Sequence, residues 1–164
     1  MTDISKANRK AALDVIAFCE GTSTSPFTRN NGYDVIVTGL GEKGEVFTDY
    51  RDHPFANGRP SKVWSKSGAT SNAAGRYQQM YRWWPAYKKQ LGLPDFSPAS
   101  QDRLALQIIR EQKALTDVDR GDMKAFAEKC CDIWASLPGS PHGQPTKSLA
   151  VIQQKFLEFG GIVA

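Results

Sequence analysis

Cysteine and histidine are scarce in this 164-residue chain, and the scarcity excludes several kinds of function. The three cysteines, Cys19, Cys130 and Cys131, are odd in number and two are adjacent, so no disulfide framework is implied. The two histidines, His53 and His142, lie far apart in the chain, which gives a zinc site little support. No metal and no cofactor is expected, and the thiols are expected to pack reduced within helices. No apolar run approaches the roughly 18 residues that suggest a membrane span, so no stable membrane association is expected. Met1 to Lys10 is polar and Ala11 to Cys19 is interrupted by Asp14, which does not match a secretory signal. Synthesis into the cytosol of the producing cell is the expectation. Internal repeats, low-complexity runs and linkers are lacking too, so one domain over 1–164 with a substantial core is expected.

Strong charge of either sign is also lacking. The 21 basic and 17 acidic residues leave a net charge of +4. That mild excess suits an anionic polymer such as a bacterial wall, and equally a nucleic acid, a membrane surface or simple solvation. A nucleic-acid partner would call for a concentrated basic stripe or a reading motif, and neither is present. At 40% hydrophobic and 23% charged residues the composition is that of an ordinary globular domain.

Periodicity supplies the elements. Ser5 to Glu20 reads as a helix on which Leu13, Ile16, Ala17 and Glu20 share one face, with Gly21 as its stop. Thr22 to Asn31 is a polar loop. Tyr33 to Thr38 and Glu45 to Tyr50 read as two strands joined through Gly39, Gly41 and Gly44, a hairpin. Arg51 to Ser71 has the Gly, Pro, Ser and basic composition of a long loop. Helical patterns follow over Ala73 to Trp84 and Pro85 to Leu91. Ser97-Pro98 then opens a helix expected to bury Leu104, Ile108 and Leu115, with Leu106 and Ile109 near that face. Asp122 to Leu137 and Ser148 to Phe159 complete the set. The fold class expected is α+β, a helical lobe beside a small hairpin lobe.

Two features carry chemistry. Glu20 is a carboxylate at the end of an apolar helix face, where burial would raise its pKa and suit it to act as a general acid. The bland alternative is a side chain that frays into solvent or pairs with Arg29 or Arg76. Ser71-Asn72-Ala73-Ala74-Gly75-Arg76-Tyr77-Gln78 joins small residues, a flat ring and an amide, a combination suited to sugars, although an ordinary helix start capped by Ser71 or Asn72 fits as well. Among the aromatics, Trp83, Trp84 and Trp134 read as packing residues, whereas Trp64 in the polar loop is the better candidate for a ligand contact. Cys130 and Cys131 read as a packed pair of small side chains. Arg51, Arg59, Lys62 and Lys66 form either a solvated face or contacts to wall carboxylates.

Read together, these strings resemble the phage lambda endolysin family. The likeness runs through Glu20-Gly21-Thr22, Asn31-Gly32-Tyr33-Asp34-Val35-Ile36-Val37, Phe47-Thr48-Asp49-Tyr50 and Asp52-His53-Pro54. It continues in Ala73-Ala74-Gly75-Arg76-Tyr77-Gln78, Arg82-Trp83-Trp84, Lys89-Gln90-Leu91-Gly92-Leu93, Asp95-Phe96-Ser97-Pro98, Ser100-Gln101-Asp102, Asp119-Arg120-Gly121-Asp122 and Ile133-Trp134-Ala135-Ser136-Leu137-Pro138-Gly139, in order along nearly the whole chain. Leu40 to Glu45 departs from the pattern as an enlarged hairpin turn, and Phe55 to Lys66 departs in sequence.

The resemblance implies a lysozyme-like fold with a cleft between its lobes, and a lytic transglycosylase. Such an enzyme cuts the β-1,4 bond between N-acetylmuramic acid and N-acetylglucosamine and leaves a 1,6-anhydromuramic end. By motif position Glu20 is the catalytic residue, and Tyr33, Asp34, Ser71, Tyr77 and Gln78 are substrate-binding. Glycan strands of peptidoglycan are the implied partner and a monomer is expected. The implied course is synthesis in the host cytoplasm, release through a separate pore-forming holin, and action on the wall in the periplasm. A hydrolysing muramidase pairing Glu20 with Asp34, Asp49 or Asp52 is the alternative enzyme. A non-catalytic wall-binding domain is the alternative outside enzymes.

Overall fold

A computed structural model describes residues 2–163. Its helices in chain order are α1 (Asp3–Cys19), α2 (Trp84–Leu91), α3 (Pro98–Glu111), α4 (Leu115–Arg120), α5 (Met123–Cys130) and α6 (Leu149–Glu158). Six short strands lie between the first two: β1 (Val35–Ile36), β2 (Glu45–Val46), β3 (Lys62–Val63), β4 (Thr70–Ser71), β5 (Ala73–Ala74) and β6 (Gln79–Met80). The chain gathers into two compact units, one formed by Met1–Glu20 with Ala105–Ala164 and one by Gly21–Leu104. The boundary falls inside α3.

The first unit is helical. Thr2 caps α1 by accepting from the Ser5 N–H, satisfying a donor the helix cannot pair itself. Leu13, Ile16 and Ala17 are buried on the expected face, with Val15 and the small Ala11 and Ala12 beside them. Each large member contributes about 1.5–3 kcal/mol by leaving water. Helices α4 and α6 pack against α1, and α5 packs against both of them. The C-terminal segment is tied to α1 by Asn8, whose amide donates to Ile162 O at 2.8 Å and accepts from Ile162 N at 2.7 Å. Arg9 grips Asp119 with two parallel bonds of 2.7 Å. All three cysteines are free and buried.

The second unit holds the sheets. β1 pairs antiparallel with β2, Val35 opposite Val46 and Ile36 opposite Glu45, so the expected hairpin is present in shorter form. β5 then pairs with the other edge of β1 and with β6, giving the order β2-β1-β5-β6. Behind this sheet His53, Phe55, Trp84 and Phe96 are buried together. The His53 Nε2 meets Gln79 O at 2.9 Å and Nδ1 accepts from Phe55 N, which assigns the neutral ring its proton on Nε2.

Several expectations are corrected. Ala73 to Trp84 is no α-helix; it is β5, a turn, β6 and a short 3-10 turn over Tyr81–Trp83. Positive φ at Gly75 (81°) and Gln78 (47°) is incompatible with a helix, and Ala74 is held by Ile36. The 51–71 segment is not wholly loop, since β3 and β4 form a second hairpin within it. The helix from Pro98 stops at Glu111, and Lys113 (φ 58°) turns the chain into α4, so Leu115 belongs to another element. Leu104 and Ile109 are buried there, whereas Ile108 is half-buried. Trp84 and Trp134 are packed as expected, but Trp83 is 55% exposed with Arg82 over its ring.

Candidate active site

Helix α1 ends at Glu20, whose N–H closes the last turn on Ile16 O at 2.8 Å. Gly21, at φ 71°, then leads the chain away in a conformation that glycine takes at no steric cost. The Glu20 side chain is half-buried at the end of the apolar face. The Ser136 hydroxyl donates to its Oε1 at 2.5 Å. Burial pushes the Glu20 pKa above the ordinary carboxylate value, and the Ser136 hydrogen bond draws it partly back. The adjacent Cys19 thiol is pushed up to about 12, first by burial and then by the charge of Glu20, so it is neutral at physiological pH.

Ser136 belongs to the turns that follow α5. Sequence periodicity assigns it to an Asp122–Leu137 helix, but α5 ends at Cys130. The Pro138-Gly139 pair close behind was the available sign that the chain is irregular there. Trp134 and Leu137 on either side are buried, Leu137 N donates to Trp134 O at 2.9 Å, and Ser136 O accepts from Lys147 N at 3.1 Å.

In the second unit Tyr33 and Tyr77 converge. Their hydroxyls both donate to Asp102 Oδ1, at 2.8 and 2.6 Å, and their rings meet edge to face. Tyr33 is half-buried, with the Arg76 guanidinium 5.0 Å over its ring. Tyr77 is only 1% exposed, so its ring does not present the flat face expected of it and instead backs Tyr33. Gln78 is half-buried and donates to Gly75 O at 3.1 Å within the turn. Ser71 is half-buried at the end of β4, its hydroxyl 3.6 Å from the Met80 sulfur and accepting from Ala73 N. Gln101, fully buried near the start of α3, lies in the family-like string Ser100-Gln101-Asp102, but its sequence context assigns it no role. It accepts from Arg76 N and donates to Tyr33 O and Phe96 O, joining the strand entry and the 75–78 turn.

The three aspartates weighed as second carboxylates are all engaged inside this unit. Asp34 is 3% exposed and holds a loop, accepting from Thr28 Oγ1 at 2.5 Å and Arg29 N at 2.8 Å. Asp49 is clasped by Arg51, which lowers its pKa to about 2. At Asp52 partial burial raises the pKa, but hydrogen bonds from Trp84 Nε1 and Lys88 and the His53 N–H outweigh it and the net shift is downward. Arg59 and Lys62 of the 51–71 segment are similarly paired: Arg59 with Glu45, and Lys62 with Glu42 and Glu45. Trp64, at 42% exposure, does stand out toward solvent. Among the described residues no group of three or more His, Cys, Asp or Glu side chains is gathered where a metal ion could sit, and no helix is long and apolar enough to cross a membrane.

The first unit thus holds a partly desolvated glutamate at a helix end, and the second holds a pair of tyrosines joined through Asp102. The endolysin family model matches residues 10–163. The chain belongs to the endolysin family. The endolysin of Escherichia phage P2 is 55% identical over 157 residues, covering 96% of this chain and 95% of that one. The endolysin of Escherichia phage lambda is 50% identical over 156 residues, covering 94% and 92%. Among solved structures, bacteriophage lambda lysozyme in complex with a chitohexasaccharide matches with a TM-score of 0.87 at 48% identity over the full length of both chains. This endolysin therefore has the lysozyme-like α+β fold of a peptidoglycan-degrading family.

Proposed function

We propose that this endolysin is a lytic transglycosylase in which Glu20 is the single catalytic carboxylate. The observation that carries the reading is the contrast among acids. Glu20 has its pKa raised on balance by burial, while Asp34, Asp49 and Asp52 are held by donors of their own unit. A hydrolase that works through two carboxylates needs the second one available as nucleophile or base. With one carboxylate, the substrate supplies the rest.

Glu20, protonated, donates to the glycosidic oxygen as the muramoyl C1–O bond breaks. The muramoyl acetamido group stabilises the developing positive charge at C1. The 6-hydroxyl of the same sugar then attacks C1 and returns its proton to Glu20, which closes the 1,6-anhydro ring and regenerates the acid. The attacking hydroxyl is tethered, so its effective concentration exceeds that of water. Tyr33, Asp34, Ser71, Tyr77 and Gln78 are proposed to bind or shape the sugar-binding surface, Tyr33 directly and Tyr77 from behind it. The chitohexasaccharide on lambda lysozyme supports a chain of N-acetylated sugars as the ligand. A monomer acting on the periplasmic wall after release by a holin belongs to the same reading.

The test is Glu20→Gln, which keeps the shape and loses the proton. Wall-cutting activity on a zymogram should fall by at least about 10²–10⁴-fold with circular dichroism unchanged. A folded Glu20→Gln protein that still clears the wall at near the original rate would sink the assignment.

A further inference from the structure

We propose that Ser136 is a positioning residue for the acid: its hydroxyl occupies Glu20 Oε1, so that the transferable proton is carried on Oε2. The inference rests on the catalytic reading of Glu20 and concerns how that carboxyl is held. At 2.5 Å the Ser136 Oγ–Oε1 contact lies at the short end of hydroxyl-to-oxygen hydrogen bonds. A hydroxyl donates one proton, so a carboxyl that accepts it at Oε1 keeps its own proton on the other oxygen.

The serine is itself held in place. Its neighbours Trp134 and Leu137 are buried and joined by a backbone hydrogen bond, and its carbonyl accepts from Lys147 N. The backbone carrying Oγ is thus pinned on both sides, through a turn and through the chain entering α6. Among the described residues, the charged groups near Glu20 in the chain and on the segment carrying Ser136 have partners of their own or act elsewhere. On α1 the neighbouring Cys19 thiol is neutral, and Asp14, one and a half turns earlier, pairs with Lys10. On the facing segment Lys147 acts on Cys19, and the exposed Asp132 and His142 lie 3.8 Å from each other. The Ser136 hydroxyl is the hydrogen-bond partner that acts on the titration of the carboxyl.

This arrangement serves both halves of the cycle. When Glu20 gives its proton to the leaving oxygen, the new carboxylate is stabilised by a donor already in place, with no reorganisation at the moment of transfer. When the 6-hydroxyl returns a proton, Oε2 is the oxygen open to receive it. Burial strengthens the hold on the proton, which favours its return and opposes its donation, and Ser136 acts against burial.

The experiment compares the intact protein with Ser136→Ala and Ser136→Thr, and with Ser136→Cys should the alanine variant not fold. Two readouts are taken: the pH profile of wall cutting, and the 13C titration of the Glu20 side-chain carboxyl, identified by its loss in Glu20→Gln. In Ser136→Ala the Glu20 carboxyl should titrate at higher pH, and the alkaline limb of the activity profile should move with it. Turnover should fall about tenfold with KM little changed, the size expected for one charge-assisted hydrogen bond. Threonine, which keeps the hydroxyl, should restore both, and cysteine, a weak donor, should resemble alanine. A Glu20 titration unmoved by Ser136→Ala overturns the proposal, as does a fall in activity that threonine does not repair. The carboxyl titration reads the Ser136–Glu20 contact even if Glu20→Gln retains activity, so a failure of the catalytic reading is seen separately.

Discussion

At the scale of single residues, Glu20 is under two opposed demands. Its place at the end of an apolar face is unfavourable for a charged group, and the raised pKa is the measure of that cost. The folded-state pKa lies above the unfolded value, so the unfolded chain ionises first as pH rises. The stability contribution of the protonated carboxyl is present in full below the ordinary glutamate value of 4.5 and is lost as pH climbs through the folded pKa. Glu20→Gln should therefore melt at a higher temperature than the natural protein at pH 7, and the two curves should converge toward pH 4. Calorimetry at both values checks this; a glutamine variant that is less stable at neutral pH contradicts the burial account. His53 behaves with the opposite sign. Burial foremost lowers its pKa to about 4, so the stability its neutral ring lends is present above about pH 6.5 and is lost as pH falls toward 4. The full difference corresponds to about 3 kcal/mol. Removing the titrating ring by His53→Gln should flatten the fall in stability between pH 6.5 and 4, although it lowers stability throughout, and an unchanged slope would contradict the assignment.

Glu20 was legible in the sequence because helical spacing sets it beside Leu13, Ile16 and Ala17, a placement one strand of letters can reveal. Ser136 was not, because it reaches Glu20 across 116 positions of chain and sits in a turn with no periodicity of its own. The commitments of Asp34, Asp49 and Asp52 were equally out of reach, since a carboxylate's partners are set by folding.

At the scale of elements, the 73–84 segment shows how a true pattern can misstate the structure. Ala73, Tyr77, Met80 and Trp84 follow a helical spacing, and Ala73, Tyr77 and Trp84 are indeed buried. They are buried by a hairpin and a 3-10 turn, which happen to bring the same positions inward. The deciding residue is Gly75. Its φ of 81° strains any L-residue, and a Cβ there would lie 2.3 Å from Gln101 Oε1, the acceptor of the Arg76 N–H. Gly75→Ala should therefore destabilise the fold by about 2–4 kcal/mol, from backbone strain together with the displaced buried amide. Chemical denaturation measures this directly, and a change below about 0.5 kcal/mol, the usual range for surface substitutions, would show that the turn is not constrained as described. Helix α1, by contrast, was readable to within two residues at its start and one at its end, since it has a clean apolar face and a glycine stop. The same held for α2, which stops before Gly92, and for α6, which follows the Ser148 cap.

At the scale of the whole molecule, the lysozyme-like α+β class was legible because family-specific strings recur in order from Glu20 to Gly139, and the endolysin match over residues 10–163 bears it out. The second hairpin, β3–β4, escaped because its strands are two residues long and lie in a Gly, Ser and Lys composition that resembles a loop. What separates a transglycosylase from a muramidase on the same fold is the fate of the muramoyl C1 atom. Purified glycan strands digested to completion and analysed by mass spectrometry give the most direct reading of it. A single catalytic carboxylate predicts muropeptides ending in 1,6-anhydromuramic acid, each lighter by one water than a hydrolysis product, with Asp34→Asn, Asp49→Asn and Asp52→Asn altering yield without altering product. Spectra dominated by reducing muramoyl ends would contradict the account and place water, activated by a second carboxylate, at C1.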